Sequence, residues 1–120
     1  MKIEVGTDIV SIERVESSIA KFGDKFLKRF LNNNEISLAK KNETIAGFWA
    51  AKEAISKALG CGIGKELAFL DIEIKKDNKN RPLFALLKDN FNIISSSLSI
   101  SHDGGFAIAT VIIILKDNSE

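Results

Sequence analysis

The chain has 120 residues, of which 45% are hydrophobic and 28% are charged, and its formal net charge is +1. This length suits one domain with one core, and we expect residues 1–120 to form it. A charge so close to zero predicts neither nucleic-acid nor membrane binding. A single cysteine, Cys61, excludes an internal disulfide, and no zinc-type spacing is present.

The N-terminal residues do not follow the charged-then-apolar pattern of a secretion signal. The longest apolar run, residues 106–115, is too short for a membrane-spanning helix. We therefore expect a cytoplasmic protein.

The first half of the chain begins with a strand and continues with helices. Residues 2–10 alternate between apolar and polar side chains, which predicts a strand. A helix is predicted over residues 11–21, with Ser11 as its N-cap and Gly23 just past its end. Further helices are expected at residues 25–31, 35–41 and 43–59, the last ending at the glycine-rich stretch 60–64.

The second half is dominated by strand patterns. The predicted strands are residues 68–75, 83–87, 96–101 and 106–116, with turns at 77–82 and 102–105. One strand, several helices and then several strands indicate an α+β fold, with helices packed on a mainly antiparallel sheet.

The long central helix carries charges that its pattern does not explain. Bulky apolar residues gather on one side, namely Ile45, Phe48, Trp49, Ile55 and Leu59. Small residues gather on the other, namely Gly47, Ala50, Ala51, Ala54 and Ala58. Glu53, Ser56 and Lys57 form a narrow polar strip, and Lys52 points toward the bulky side. Charges on a mostly buried helix need partners, which suggests a site.

Two carboxylates are candidates for that site, and each has a simpler explanation. Glu53 and Lys57 lie four residues apart, so they can form an ordinary surface ion pair. Asp8, at the end of the first strand, can cap a helix or a turn. Alternatively, Asp8 and Glu53 bind one Mg²⁺ ion, which typically takes one or two protein carboxylates and completes its shell with water and phosphate oxygens. Nearby lysines would suit a pyrophosphate-bearing substrate.

The glycine-rich stretch 60–64 matches neither common phosphate-binding motif. A Walker motif ending at Lys65 requires Gly at position 59 and Ser or Thr at 66, where the chain has Leu59 and Glu66. A dinucleotide fingerprint fails because it precedes a helix, whereas this stretch follows one. We expect Gly60 to end the helix in a left-handed conformation, which still leaves loop N–H groups for a ligand.

The remaining candidates are a histidine and a basic segment. His102 is the only histidine, and a lone histidine at a strand end is more often structural than catalytic. Residues 11–41 hold seven Lys or Arg against four Asp or Glu. The simplest interpretation is a solvated helical surface, and the alternative is a docking surface for an acidic protein.

Two motifs together resemble a known family. Gly6-Thr7-Asp8-Ile9-Val10 and the segment from Trp49 to Lys57 are similar to those of the holo-acyl-carrier-protein synthases, the small bacterial 4′-phosphopantetheinyl transferases. The resemblance spans the chain, including the loop from Gly60 to Gly64, Asp71-Ile72-Glu73-Ile74 and Ser99-Ile100-Ser101-His102.

The resemblance implies a fold and a reaction. The expected fold is phosphopantetheinyl transferase-like, with a mainly antiparallel sheet against a long central helix. The family moves the phosphopantetheine arm of coenzyme A to a serine of apo-acyl carrier protein, which supports fatty acid biosynthesis and releases adenosine 3′,5′-bisphosphate. Its members are typically homotrimers with active sites between subunits. The alternatives are a transferase serving other carrier domains and a non-catalytic coenzyme A-binding module.

The resemblance also implies residue roles. Asp8 and Glu53 match the metal-binding carboxylates, and Lys57 matches the lysine that neutralises or protonates the leaving phosphate. The serine's base is open between Glu53, a metal-bound water and a carboxylate of the carrier protein. The positions implied around coenzyme A, besides Lys57, are Lys52, Gly60, Gly62, Gly64, Pro82 and His102. Those implied to receive the carrier protein are Arg14, Lys21, Lys25 and Lys28. One departure is Phe48, where many relatives have an arginine near the coenzyme A phosphates.

Overall fold

The structure, a computed structural model, describes residues 1–88 and 90–117 of the expected domain 1–120. Its helices are α1 (Ile12–Phe22), α2 (Asp24–Phe30), α3 (Asn33–Leu38) and α4 (Asn42–Ala58). Its strands are β1 (Lys2–Ser11), β2 (Ile72–Lys76), β3 (Pro82–Leu86), β4 (Ile93–Asp103) and β5 (Phe106–Leu115). No helix among the described residues combines the length and the hydropathy needed to cross a membrane.

The described strands form two antiparallel sheets. The larger has the order β1-β5-β4, and β2 pairs with β3 in the smaller. Helix α4 lies across one face of the larger sheet, where the β5 side chains that face it, such as Ala109 and Val111, are fully buried. The α+β class, the antiparallel sheet and the long central helix predicted from the sequence are confirmed.

The crossing of β1 and α4 depends on Gly6. A Cβ atom at this position would lie 1.9 Å from the main-chain oxygen of Ala54. The small-residue side of α4 therefore allows its backbone to approach β1 directly. Since Asp8 follows Gly6 by two residues, it points to the same face of the sheet, toward α4.

The ends of the first helices follow the sequence signals. The Ser11 hydroxyl accepts a hydrogen bond from the Arg14 N–H, and Gly23 follows α1 with a φ of 59°. At α3 a complete capping box forms, in which the Asn32 side chain accepts from Glu35 N–H and the Glu35 carboxylate accepts from Asn32 N–H. The third helix is shorter than expected and ends at Leu38.

Two predicted strands needed correction. The segment predicted as a strand from residue 68 begins with a 3₁₀ turn, Phe69–Asp71, because the Asp71 carboxylate accepts the Ala68 N–H and closes that turn. Strand β4 is longer than the predicted 96–101, since β5 supplies partners along its length. His102 and Asp103 belong to β4, and Gly104-Gly105 makes the turn with positive φ at both residues.

The face of the larger sheet away from α4 is exposed and largely apolar. Its exposed apolar residues include Ile3, Val5, Ile9, Ile108 and Ile112. The register places Val5 beside Ile112 and Ile9 beside Ile108, with the pair of Thr7 and Thr110 between them. An apolar surface of this kind is typical of a protein-protein contact.

Candidate active site

A cavity of about 440 Å³ opens beside the crossing of β1 and α4. Asp8 on β1 and Glu53 on α4 both line it. Apolar walls come from Val15, Phe26 and Trp49, and polar groups from Ser11, Arg14 and Ser18. The cavity therefore combines two carboxylates with an aromatic wall and a cation from α1.

Lys57 joins α4 to β1 through Asp8, one of the residues that line this cavity. Its ammonium donates to Oδ1 of Asp8 at 2.9 Å and to the main-chain oxygen of Thr7 at 3.1 Å. The Asp8 side chain is largely covered, whereas Lys57 is half exposed. Lys57 thus orients the Asp8 carboxylate and has a third N–H donor beyond these two contacts.

Glu53 is partly buried next to Asp8. Burial raises the pKa of the Glu53 carboxyl above its usual range, the negative charge of Asp8 raises this pKa further, and Lys57 opposes both effects. The ionised carboxylate at this position is therefore poorly compensated by the protein. The sequence predicted a Glu53–Lys57 ion pair or a shared metal site, and in the structure the close ion pair of Lys57 is with Asp8.

This donor set fits a divalent cation. Two adjacent carboxylates, one with a raised pKa, gain from a positive charge between them. No group of three or more His, Cys, Asp or Glu side chains in the described part of the chain could hold a metal. Two carboxylate ligands match Mg²⁺, which leaves its other positions to water and substrate phosphates.

Comparison with known proteins places this geometry in a family. The family model of the 4′-phosphopantetheinyl transferase superfamily matches residues 4–111. This chain belongs to that superfamily. The sequence of a holo-[acyl-carrier-protein] synthase from Nautilia profundicola is 62% identical over 111 residues, covering 92% of this chain and 98% of the relative. The resemblance inferred from the two motifs is confirmed.

Solved structures agree with the sequence relatives. The Helicobacter pylori holo-[acyl-carrier-protein] synthase in complex with coenzyme A has a TM-score of 0.89 and 58% identity, covering 92% of this chain and 99% of that one. The holo-(acyl-carrier-protein) synthase from Bacillus anthracis, in complex with CoA (3′,5′-ADP), has a TM-score of 0.81 and 41% identity, covering 94% of this chain and 96% of that one. The chain is therefore similar to these transferases over nearly its whole length.

Lys52 of this transferase does not reach the cavity. Its side chain is fully buried, and its ammonium donates to the main-chain oxygens of Phe30 at 2.6 Å and Phe69 at 3.1 Å, and to Glu35 Oε1 at 2.9 Å. All three donors of the ammonium are used inside the fold. We therefore remove Lys52 from the residues expected around coenzyme A.

Phe48 and Ser56 are also inside the transferase core. The Phe48 ring is 1% exposed, so the side chain that replaces the family arginine packs in the core. Ser56, expected on a polar strip, is fully buried and donates its hydroxyl to the main-chain oxygen of Glu53 at 2.7 Å. The exposed part of the strip is therefore limited to Glu53 and Lys57.

The loop after α4 has the backbone that its glycines predict. Gly60 and Gly62 have φ values of 81° and 66°, and Gly60 closes the helix as expected. The N–H groups of Gly60 and Gly62 donate to the main-chain oxygens of Lys57 and Ser56, and Gly64 N–H donates to that of Leu67. These three N–H groups already have acceptors in α4 and at Leu67, so a contribution of the loop to a ligand would come from its shape and its other groups.

Pro82 and His102 do not line the cavity that Asp8 and Glu53 share. Pro82 begins β3 in the smaller sheet. The register puts exposed His102 on the sheet face of Asp8, two strands away and level with Val10. At normal strand spacing and rise this corresponds to about 12 Å from Asp8. Their roles around coenzyme A stay predictions.

The basic residues form one exposed surface on α1 and α2. Arg14, Lys21, Lys25 and Lys28 are all exposed, and Arg14 also lines the cavity. Lys21, Lys25 and Lys28 do not line the cavity, so Arg14 is the one of the four that contributes to its wall.

The sequence reasoning missed three residues that shape the site. Phe26 and Trp49 stack at 6.0 Å between ring centroids and line the cavity, although Trp49 was expected only on the bulky apolar side of its helix and Phe26 was not singled out. Glu35, one of the four acidic residues of the basic segment 11–41, is fully buried against Lys52. Its capping-box spacing from Asn32 was a usable signal for the local turn, but nothing in the sequence indicated the ion pair.

Proposed function

We propose that this chain transfers the 4′-phosphopantetheine group of coenzyme A to a serine of an apo-acyl carrier protein. The observation that carries the proposal is that Asp8 and Glu53, from elements far apart in the chain, line one cavity, while Lys57 bonds to the Asp8 carboxylate. The relatives named holo-[acyl-carrier-protein] synthase, and their complexes with coenzyme A, supply the reaction and the substrate.

Asp8 and Glu53 would hold Mg²⁺ together with the pyrophosphate oxygens of coenzyme A. When bound, the metal supplies positive charge to the transferred phosphoryl group and to the departing phosphate. The Asp8 carboxylate is oriented for this role by Lys57. Glu53 would complete the site because its carboxylate faces Asp8 in a partly buried position.

The reaction forms one bond and breaks one. The serine oxygen of the carrier protein bonds to the phosphorus that bears the pantetheine arm, and the bond from that phosphorus to the bridging oxygen breaks. The bridging oxygen leaves with the electron pair on adenosine 3′,5′-bisphosphate. Lys57 would donate its remaining N–H to this leaving phosphate. A base takes the serine proton, and the candidates stay Glu53, a metal-bound water and a carboxylate of the carrier protein.

The carrier protein would dock on the basic surface of α1 and α2. Its acidic character complements Arg14, Lys21, Lys25 and Lys28, and charge complementarity of this kind speeds and orients association. Because Arg14 lies both on this surface and in the cavity wall, docking would bring the carrier serine to Asp8 and Glu53.

We further propose a homotrimer with active sites between subunits, acting in fatty acid biosynthesis in the cytoplasm. The exposed apolar face of the larger sheet, centred on Val5 and Ile112, supports contacts with further copies of the chain. In such an assembly Pro82 and His102 can contact a coenzyme A molecule that is held by Asp8 and Glu53 of a neighbouring copy.

The direct test is transfer to a carrier protein. Purified protein is mixed with coenzyme A and apo-acyl carrier protein, with either Mg²⁺ or EDTA. The mass of the carrier protein is then measured by intact-mass spectrometry. We expect the phosphopantetheine mass increase with Mg²⁺ only, and no increase on a carrier whose acceptor serine is replaced by alanine. Coenzyme A binding without transfer to several carriers would instead indicate a binding module. Transfer to carriers of other pathways in preference to fatty-acid carriers would contradict the proposed pathway.

A further inference from the structure

Lys52, the residue before Glu53 on α4, forms a buried ion pair with Glu35 of α3. The side chains of Glu35 and Lys52 are both 0% exposed, with Lys52 Nζ 2.9 Å from Glu35 Oε1. Burial lowers the pKa of Lys52, and the hydrogen bond and charge of Glu35, together with the charge of Glu73, oppose that effect. Of these two carboxylates, Glu35 is the one in direct contact with the ammonium. None of the proposed chemical steps uses either residue.

Such a pair is weak evidence of a contribution to stability. Taking two charges out of water is costly, and buried ion pairs can often be replaced by apolar residues without loss of stability. Their established benefit in some proteins is to fix one arrangement of the chain. The arrangement that Glu35 and Lys52 would fix is that of the segments they connect.

The pair connects five segments of the fold. From Lys52 on α4, hydrogen bonds reach the last residue of α2, Phe30, and the 3₁₀ turn at Phe69. From Glu35 on α3, Oε1 also accepts Asn32 N–H at 2.8 Å and Oε2 accepts Ile74 N–H of β2 at 2.8 Å. Every polar atom of the pair thus has a partner, and the partners are mostly main-chain groups, which cannot rotate away.

This network acts on α4 next to Glu53. Lys52 immediately precedes Glu53, so the two side chains leave the helix about 100° apart. When Lys52 is held on one side, Glu53 is turned toward β1 and Asp8. Trp49, about one turn before Lys52, packs against the rings of Phe30 and Phe69 at 4.8 and 4.7 Å between centroids. The two residues whose main-chain oxygens Lys52 binds therefore also hold the aromatic wall of the cavity.

We propose that Glu35 is a positioning residue: through Lys52 it fixes the rotation of α4 that directs Glu53 at Asp8 and sets the Trp49 wall of the cavity. The inference rests on the proposed function, because it treats Asp8 and Glu53 as the metal ligands. Glu35 itself contacts neither substrate nor metal. Its removal should therefore affect metal binding and turnover through geometry.

The test compares two variants with the wild type. Glu35→Gln removes the buried negative charge, and its amide cannot accept both the Lys52 and Ile74 hydrogen bonds while keeping the one to Asn32. Glu35→Gln with Lys52→Met removes both charges, so no ion is left unpaired in the core. Three quantities are measured: kcat with coenzyme A and apo-carrier protein, Mn²⁺ affinity in the presence of coenzyme A by electron paramagnetic resonance, and the emission maximum of Trp49, the only tryptophan.

We expect kcat to fall about tenfold or more and the Mn²⁺ dissociation constant to rise about tenfold in both variants, since small displacements of reacting or ligating groups have effects of this size. The Trp49 emission should shift in both. Should Glu35→Gln fail to fold, the paired variant carries the same test.

The matched control is Ile74→Val. It removes a methylene from a fully buried side chain next to the same network but keeps the main-chain N–H that Glu35 accepts. It should lower the melting temperature. The kcat and the Mn²⁺ affinity should stay within about twofold of the wild type, and the Trp49 emission maximum should not shift.

The proposal is overturned if a folded Glu35 variant keeps wild-type kcat, Mn²⁺ affinity and Trp49 emission, or if Ile74→Val loses them to the same degree. A wild-type protein that neither binds Mn²⁺ with coenzyme A nor transfers the arm contradicts the proposed function instead. Even then, an unshifted Trp49 emission in both Glu35 variants counts separately against the positioning role.

Discussion

The Lys57 ammonium lies 2.9 Å from Oδ1 of Asp8, although the two residues are 49 positions apart in the chain. This contact joins the C-terminal half of β1 to the last turn of α4, and Glu53 lies one turn earlier on the same helix. The two elements meet closely because Gly6 has no side chain and α4 presents alanines to it. The geometry of the site therefore depends on backbone packing as much as on the charged residues.

Gly6→Ala should damage both the fold and the site. The added Cβ would meet the main-chain oxygen of Ala54 at 1.9 Å, so β1 and α4 must separate. We expect the free energy of unfolding to fall by about 1–3 kcal/mol, as for other overpacked cores, and transfer activity to fall with it. Urea denaturation measures the first effect. Gly64→Ala is the control for stability, since its Cβ would meet nothing within 4 Å and its φ is not positive; equal stability of the two variants would contradict the close-contact argument.

Glu53→Gln should abolish Mg²⁺-dependent transfer without destabilising the protein. Since burial and Asp8 raise the pKa of Glu53, its ionised form is disfavoured in the folded state. A neutral amide should therefore leave thermal stability in EDTA equal or higher. Glu43→Gln in the first turn of α4 should keep activity and lose a few tenths of a kcal/mol of stability, because it removes a favourable charge at the helix N-terminus. Full Mg²⁺-dependent activity of Glu53→Gln would remove this residue from the metal site.

Val5→Lys should dissociate the proposed trimer. Val5 is 65% exposed on the apolar face of the larger sheet, so a charge there would be buried in a contact between copies but harmless in a monomer. Light scattering should show about three times the 13.2 kDa chain mass for the wild type and one chain for the variant. Leu87→Lys, at an exposed leucine after β3, should leave the assembly unchanged. A monomeric wild type would contradict the trimer itself.

Reversing two charges on α2 should weaken use of the carrier protein. With Lys25→Glu and Lys28→Glu we expect the KM for the carrier to rise on the order of tenfold at low salt, with kcat nearly unchanged, because both side chains are exposed and outside the cavity. The difference should shrink as salt screens the charges. A variant with Lys75→Glu and Lys76→Glu on β2 carries the same change of net charge elsewhere. An equal rise in KM for that variant would indicate a nonspecific charge effect.

Asp71 should make stability depend on pH. The Ala68 N–H, and then the nearby Lys88, hold the pKa of Asp71 below its usual range. A lowered folded-state pKa means that the contribution is fully present above the unfolded value near 4 and is lost as pH falls through the folded value. Asp71→Asn should therefore lose about 1 kcal/mol of unfolding free energy at pH 7, and the loss should shrink below about pH 4. A loss that stays constant down to pH 2 would contradict this account.

Much of the fold could be predicted from local sequence patterns. The alternation of residues 2–10, the cap at Ser11 and the glycines at 23 and 60 act through their own backbones, and the structure has the predicted ends within a few residues. The strand predicted to begin at residue 68 is an exception, because Asp71 closes a 3₁₀ turn where the alternation predicted a strand. A single side-chain bond there prevails over a weak periodicity.

The sequence by itself determined the fold class, the family and the unusual character of α4, because periodicity, caps and two motifs are local properties that survive without knowledge of any contact. Only the tertiary structure decided which charge serves which purpose. Lys52 and Lys57 lie five residues apart on one helix, yet one is buried against Glu35 and the other reaches Asp8. That difference comes from what packs against each side of α4, and those partners come from α3 and β1, which the sequence of α4 does not specify.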